Sequence, residues 1–140
     1  MVALTLRIIT PESVLLDTTA DSVQITALDG GMGILPRHAA MVAALGAGEL
    51  RYKSGGADTY LFVAGGFCEV RDNTVRIVAD ASERPEEIDV ARAERARERA
   101  HARIHGRRLE GEAAVDLDLV RAEFSLRRAQ LRLKLAKLRS

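Results

Sequence analysis

The residues most suggestive of chemistry lie in one run, "ALDGGMGILPRHA", at positions 27–39. Gly30, Gly31 and Gly33 lead into Ile34, Leu35, Pro36, Arg37 and His38. Glycines beside a guanidinium and an imidazole suit three uses: a phosphate cradle, a catalytic loop or a shaped contact surface. A cradle needs GxxxxGK followed by Ser or Thr, or GxGxxG, between a strand and a helix, so that backbone N–H groups meet the anion. Here Gly31-Met32-Gly33 is followed by Ile-Leu-Pro, and Pro36 removes a donor and excludes an immediate helix opening. A catalytic loop needs a nucleophile or carboxylate working with His38, and no serine or cysteine lies in a recognised local signature for one. A lone histidine after a proline turn is expected to be structural or at an interface. The run therefore reads as a contact surface, and the chain as having no catalytic residues of its own.

The remaining reactive groups are few. Cys68 is the single cysteine, so no intramolecular disulfide or cysteine-based metal cluster forms, and its neighbours Phe67, Glu69 and Val70 make it a small buried hydrophobe. His101 and His105 stand at i, i+4, a spacing that can hold zinc. They lack the intervening glutamate of a metalloprotease helix and sit among arginines, so a solvated face is expected and no metal site.

The elements that must position these residues fall into two kinds. Up to Ala81 the pattern alternates: Val2, Leu4, Leu6 and Ile8; Val23, Ile25 and Ala27; Leu50 and Tyr52; Val75, Ile77 and Ala79. Period-two alternation buries one face of each strand and wets the other, as in antiparallel sheets. Turn residues punctuate it at Thr10-Pro11-Glu12-Ser13, Asp29-Gly30-Gly31, Gly46-Ala47-Gly48, Ser54-Gly55-Gly56 and Arg71-Asp72-Asn73. Short strands at this spacing predict a small β-sandwich or barrel. After the connector "SERPEE" the period becomes helical. Asp89 is a plausible cap for "VARAERARERAHARI", with Ala93, Ala96, Ala100 and Ile104 as a thin stripe and Gly106 as its end. "LDLVRAEFSLRRAQLRLKLAKL" then places Leu117, Val120, Phe124, Leu131, Leu135 and Leu138 on one face. The expected helices, 89–105 and 116–138, measure about 26 and 35 Å when folded back, and about 75 Å when opened into one rod.

Charge divides along the same line. Residues 1–82 carry 6 Lys and Arg against 9 Asp and Glu, whereas residues 83–140 carry 15 against 11. From Val120 onward the ratio is 7 to 1. No run of about 18 apolar residues exists to span a membrane, and the N-terminus has no signal-peptide pattern, so a soluble intracellular protein is expected.

The segments "GGMGILPRHAAMVAALGAGELRY", "VAGGFCEV", "VRIVAD" and "IDVARAERARERA" together resemble the epsilon-subunit family of bacterial F-type ATP synthases, over about residues 5–137. The resemblance implies an N-terminal antiparallel β-sandwich of about ten strands (residues 1–84), followed by a C-terminal two-helix antiparallel hairpin (85–140). It implies a non-catalytic rotor subunit of the central stalk that binds the gamma subunit, rests on the c-ring and restrains ATP hydrolysis. The hairpin would do this by opening beneath the alpha/beta catalytic head. Asp29, Gly30, Gly31, Met32 and Gly33 would then face the c-ring, and Pro36, Arg37 and His38 would lie near gamma. The basic residues of the second helix, Arg121, Arg127, Arg128, Arg132 and Lys134, suit acidic surfaces of the head. Location would be peripheral, at the cytoplasmic face of the bacterial inner membrane, touching the membrane only through the complex.

Some relatives hold regulatory ATP on the folded hairpin. The matching positions here are Ile88, Asp89, Arg92 and Ala93 of "IDVARA", with Arg99, Arg128, Arg132 and Glu83, and no obligatory cofactor is implied. Guanidiniums suit phosphates and a carboxylate suits polar groups of the nucleotide; equally, Asp89 caps a helix and Arg92 can pair with glutamates. Two other readings stand beside the rotor subunit: a nucleic-acid-binding adaptor using the basic helix, and a stand-alone ATP sensor. The regular leucines between the arginines favour a protein partner, so no nucleic acid is expected.

Overall fold

The computed structural model describes residues 3–109 and 117–138. The chain divides into two compact units, Met1–Arg84 and Pro85–Ser140.

The first unit is a sandwich of two five-stranded sheets. Its strands are β1 (Leu4–Ile9), β2 (Val14–Ala20), β3 (Ser22–Ala27), β4 (Gly30–Ile34), β5 (Met41–Ala44), β6 (Gly48–Ser54), β7 (Ala57–Ala64), β8 (Phe67–Arg71), β9 (Thr74–Val78) and β10 (Ala81–Glu83). One sheet runs β2-β1-β9-β8-β5 and the other β10-β7-β6-β3-β4. The alternation read from the sequence becomes the core: Leu4, Leu6, Ile8, Val23, Ile25, Leu50, Val75, Ile77 and Ala79 are all buried in one cluster. Val2, the first member of that alternation, lies outside the described residues.

One pairing departs from the antiparallel expectation. β1 and β9 run parallel, Thr5 opposite Thr74 through Ile9 opposite Val78. Every other ladder among the described residues is antiparallel. The β1–β2 register slips between Ile8 and Ile9, so Leu15 is the extra, bulged residue on β2. A bulge leaves a carbonyl without its ladder donor, and the Arg84 guanidinium donates to the Leu15 carbonyl at 2.7 Å.

The second unit opens with a 3-10 turn, Pro85–Glu87, whose Pro85 is buried, followed by α1 (Val90–Leu109) and α2 (Leu117–Ala136). Asp89 is the N-cap of α1: its Oδ1 accepts the Arg92 amide at 3.1 Å, and its carbonyl accepts the Ala93 amide at 3.0 Å. Gly106 does not end α1, which continues to Leu109. An interior glycine costs a helix only about 1 kcal/mol, which the flanking helix-forming residues tolerate.

The face of α2 also differs from expectation. Its buried residues are Ala122, Ala129, Leu135 and Ala136, whereas Phe124 and Leu138 are 55% and 46% exposed. On α1 the buried positions are Ala93, Ala100 and Ile104. The seam is thus built from alanines repeating at seven on both helices. Beside these alanines on α2, Leu119, Leu126 and Leu133 are half-buried, one three residues before each alanine.

Candidate functional site

The glycine-rich segment Asp29–Gly33, whose first three residues the sequence marks as a turn, is mostly a strand. Asp29 occupies the turn, and Gly30–Ile34 form β4, the edge of its sheet, with Gly30 opposite Ala27 and Ile34 opposite Val23. The glycine-rich composition hid this, because glycine is depleted in strands. Gly30 has φ +132, which favours glycine, and Met32 turns in to pack against the core. A Cβ added at Gly30, Gly31 or Gly33 would meet nothing within 4 Å. Gly66 is the opposite case: a Cβ there would stand 1.8 Å from the Val78 carbonyl oxygen. Gly66 serves packing inside the sandwich, whereas the β4 glycines leave a bare backbone ribbon facing outward. Beside that ribbon lies a groove of about 360 Å³, lined by residues including Gln24, Thr26, Met32, Glu49 and Arg51, with the Arg51 guanidinium donating to Gln24 Oε1.

Beyond β4 the chain folds into a tight turn, Leu35–His38, closed by the His38 amide donating to the Leu35 carbonyl at 3.2 Å. Pro36 takes the second position, and Arg37 takes the third with φ +68. The Arg37 amide donates to Asn73 Oδ1 at 2.6 Å. His38 Nδ1 lies 2.8 Å from the Ala39 carbonyl, which engages it as a donor and ties the ring to its own backbone. Leu28, Leu35 and Val42 in the same stretch are 73%, 63% and 69% exposed. Bare backbone, a stiff turn, a cation and exposed aliphatics are thus brought together on this part of the sandwich.

The hairpin residues matched to a nucleotide site distribute unevenly. Ile88 and Ala93 are buried, and Arg92 and Arg99 are exposed on α1. Arg128 and Arg132 are half-buried on α2, and Arg128 donates to Ser125 Oγ at 3.4 Å. Glu83 belongs to the sandwich unit, half-buried in β10 opposite Phe62. At about 100° per residue, Arg92 and Arg99 lie on one side of the α1 alanines, and Arg121, Arg128 and Arg132 on the matching side of the α2 alanines. The other flank carries a groove of about 420 Å³ lined by residues including Val90, Glu94, Arg97, Leu133, Lys134 and Lys137. Lys134 is therefore separated from Arg121, Arg128 and Arg132, and Arg127 projects from the back of α2. The basic residues of α2 surround the helix rather than forming one stripe.

Cys68 is fully buried opposite Ala43 and Ile77, and burial, with Glu69 adding, pushes its thiol up to about 11. It stays protonated and inert at neutral pH. His101 and His105 are exposed on α1. Among the described residues, no group of three or more His, Cys, Asp or Glu side chains could hold a metal ion. No helix among them is long and apolar enough to cross a membrane.

Comparison with known proteins matches two family models in series. Residues 3–85 match the ATP synthase delta/epsilon chain β-sandwich domain, and residues 86–137 match the delta/epsilon chain long α-helix domain. The chain is 47% identical over 137 residues to the ATP synthase epsilon chain of Symbiobacterium thermophilum, covering 97% of this chain and 94% of that one. It is 41% identical to the epsilon chain of Halalkalibacterium halodurans, covering 97% and 98%. In fold it is similar to a chain of the Euglena gracilis mitochondrial ATP synthase, with a TM-score of 0.76 at 24% identity, covering 98% of this chain and 82% of that one.

Proposed function

The chain belongs to the ATP synthase delta/epsilon family as an epsilon chain, a non-catalytic subunit, and from that premise we propose how its two units are used. Family membership favours the rotor subunit over the nucleic-acid adaptor and the stand-alone sensor. The sandwich is the coupling unit. Asp29, Gly30, Gly31, Met32 and Gly33 seat it against the c-ring, and Pro36, Arg37 and His38 seat it against gamma, so that proton translocation turns subunit and ring together. Outward glycines support this use, because a partner can approach the β4 backbone without meeting a side chain. On this reading the subunit sits peripherally, at the cytoplasmic face of the bacterial inner membrane.

The hairpin is the regulatory unit: compact, it permits turnover; extended beneath the alpha/beta head, it blocks hydrolysis. The observation that carries this reading is the alanine seam. At about 0.8 kcal/mol per buried CH₂, an alanine contributes roughly 2 kcal/mol less than a leucine, so the folded hairpin can be exchanged for contacts elsewhere. Phe124 and Leu138 stand exposed for such contacts. Arg121, Arg127, Arg128, Arg132 and Lys134, spread around α2, suit an environment that surrounds the helix on several sides. Regulatory ATP would bind the Arg92, Arg99, Arg128 and Arg132 flank, with Asp89 at its end. A ligand spanning both helices shifts the balance toward the compact state by its differential affinity.

Deletion of residues 84–140 in the reconstituted complex is expected to raise ATP hydrolysis, measured by phosphate release across nucleotide conditions. Hydrolysis equal to that of the intact complex in every condition would remove the inhibitory role and leave the coupling role standing.

A further inference from the structure

Two positions in the sandwich carry a functional side chain where the backbone would favour glycine, and the two are hydrogen-bonded to each other. The first is Arg37. A four-residue turn with proline second and a left-handed third residue is of the type II kind, which glycine or asparagine ordinarily fills. Arg37 sits in that third position at φ +68. A branched-off Cβ there costs roughly tenfold in population relative to an unstrained site. Glycine would lift that penalty but would remove the guanidinium from this turn. Among the described residues, no hydrogen bond or ion pair holds the guanidinium within the chain.

The second position is Asn73. Asp72 at φ +49 and Asn73 at φ +59 form the two-residue connection between β8 and β9. Two left-handed residues in a two-residue hairpin make a type I′ turn, in which Asp-Gly is a favoured pair. Asparagine supplies what glycine lacks: Oδ1, which accepts the Arg37 amide at 2.6 Å across 36 positions of sequence. Its own backbone is firmly placed, because its carbonyl accepts the Thr5 amide at 2.8 Å beside the β1–β9 pair.

We propose that Asn73 is a positioning residue, a clamp that holds the 35–38 turn in its left-handed form and presents Arg37 to a carboxylate-bearing surface of a partner subunit. The inference rests on the reading that this turn faces a partner. The clamp pre-organises the cation, so that the ordering cost is met before association rather than during it.

The test uses full-length chain carrying Asn73→Gly, which keeps a favourable type I′ turn and deletes the acceptor, and Asn73→Asp, which keeps an acceptor oxygen. In Asn73→Gly, hydrogen exchange of the Arg37 amide is expected to quicken about tenfold, and Asn73→Asp to stay near the parent. Affinity for an epsilon-depleted ATP synthase complex is expected to fall about five- to tenfold in Asn73→Gly, with the thermal transition of the sandwich unmoved. Arg37→Ala sets the full value of the side chain and should weaken binding at least as much. Unchanged Arg37 exchange in Asn73→Gly overturns the clamp. Faster exchange with undiminished affinity, while Arg37→Ala binds weakly, overturns the positioning role alone. Full affinity in Arg37→Ala overturns the docking of this turn and the proposal with it.

Discussion

In the sandwich, the largest fully buried side chains include Leu4, Leu6, Ile8, Ile34, Leu50, Leu61 and Ile77, spread over both sheets. In α1 and α2, the fully buried positions among the described residues are Ala93, Ala100, Ile104, Ala122, Ala129, Leu135 and Ala136, with Ile88 buried just before α1 and Leu119, Leu126, Leu131 and Leu133 half-buried on α2. The two units thus remove very different amounts of apolar surface from water per residue ordered. Burying a leucine side chain is worth about 1.5–3 kcal/mol, and an alanine methyl much less. A sandwich assembled this way stays folded through every state of a machine. A hairpin assembled this way keeps its helices, favoured by Ala, Arg and Glu composition, while its tertiary contact remains exchangeable. On the proposed reading, side-chain size is what separates a permanent unit from an exchangeable one.

Substitutions can break that contrast in either unit. Leu6→Ala in the sandwich core is expected to cost about 2–5 kcal/mol, the range for a large-to-small change with little room to collapse. Cys68 offers a direct readout, because its thiol, raised to about 11, reacts with alkylating reagents only when the sandwich opens. Labelling at pH 8 should accelerate strongly in Leu6→Ala, and an unchanged rate would show that the core repacks. Ala129→Leu in the seam adds volume where the helices meet, and overpacking costs about 1–3 kcal/mol. The hairpin should loosen, seen as weakened amide protection along α1 and α2, while Cys68 labelling stays slow. Equal labelling increases in both variants would mean that the two units do not unfold separately.

The smallest effect sharpens the contrast inside the hairpin. Asp89→Ala removes an N-cap worth about 1 kcal/mol, and Asp89→Ser restores a capping oxygen without the charge. Helix stability should therefore fall in the first variant and return in the second. ATP affinity, measured by calorimetric titration of the full-length chain, should be weakened in both if the carboxylate contacts nucleotide. Affinity that follows helix stability instead would assign Asp89 to capping alone.

How much of this was legible in the sequence depends on the range of the interaction. Leu4, Leu6 and Ile8 could be placed in the core from alternation, because period two and burial on one face are a single geometric fact. Asp89 could be read as a cap, since capping is satisfied within three residues. On α2 the stripe through Val120, Phe124, Leu131, Leu135 and Leu138 is only partly buried, and the seam follows Ala122, Ala129 and Ala136 beside the second apolar repeat, Leu119, Leu126 and Leu133; the signal for it is alanine at intervals of seven on both helices. β4 carries no strand signal of its own, because its glycines hide the ladder that Val23 and Ile25 supply from β3. The Asn73–Arg37 contact carries no local signature at all, as both partners look like ordinary turn residues 36 positions apart.

The parallel pairing of β1 with β9 also sets an order of events when the chain is made. β1 lies between β2 and β9, so its sheet cannot close until about residue 78 has been synthesised. Until then β1 has only β2 as a hydrogen-bonded neighbour, although Val23, Ile25, Leu50 and Leu61 of the opposite sheet can already cover Leu4, Leu6 and Ile8. The first residues to emerge wait among the longest for their partners, which makes closure a non-local and comparatively slow step. The helices need only neighbours in sequence and arrive after that step is possible. An arrest of synthesis shortly before Thr74 would leave the backbone edge of β1 unpaired, a template for pairing with another chain.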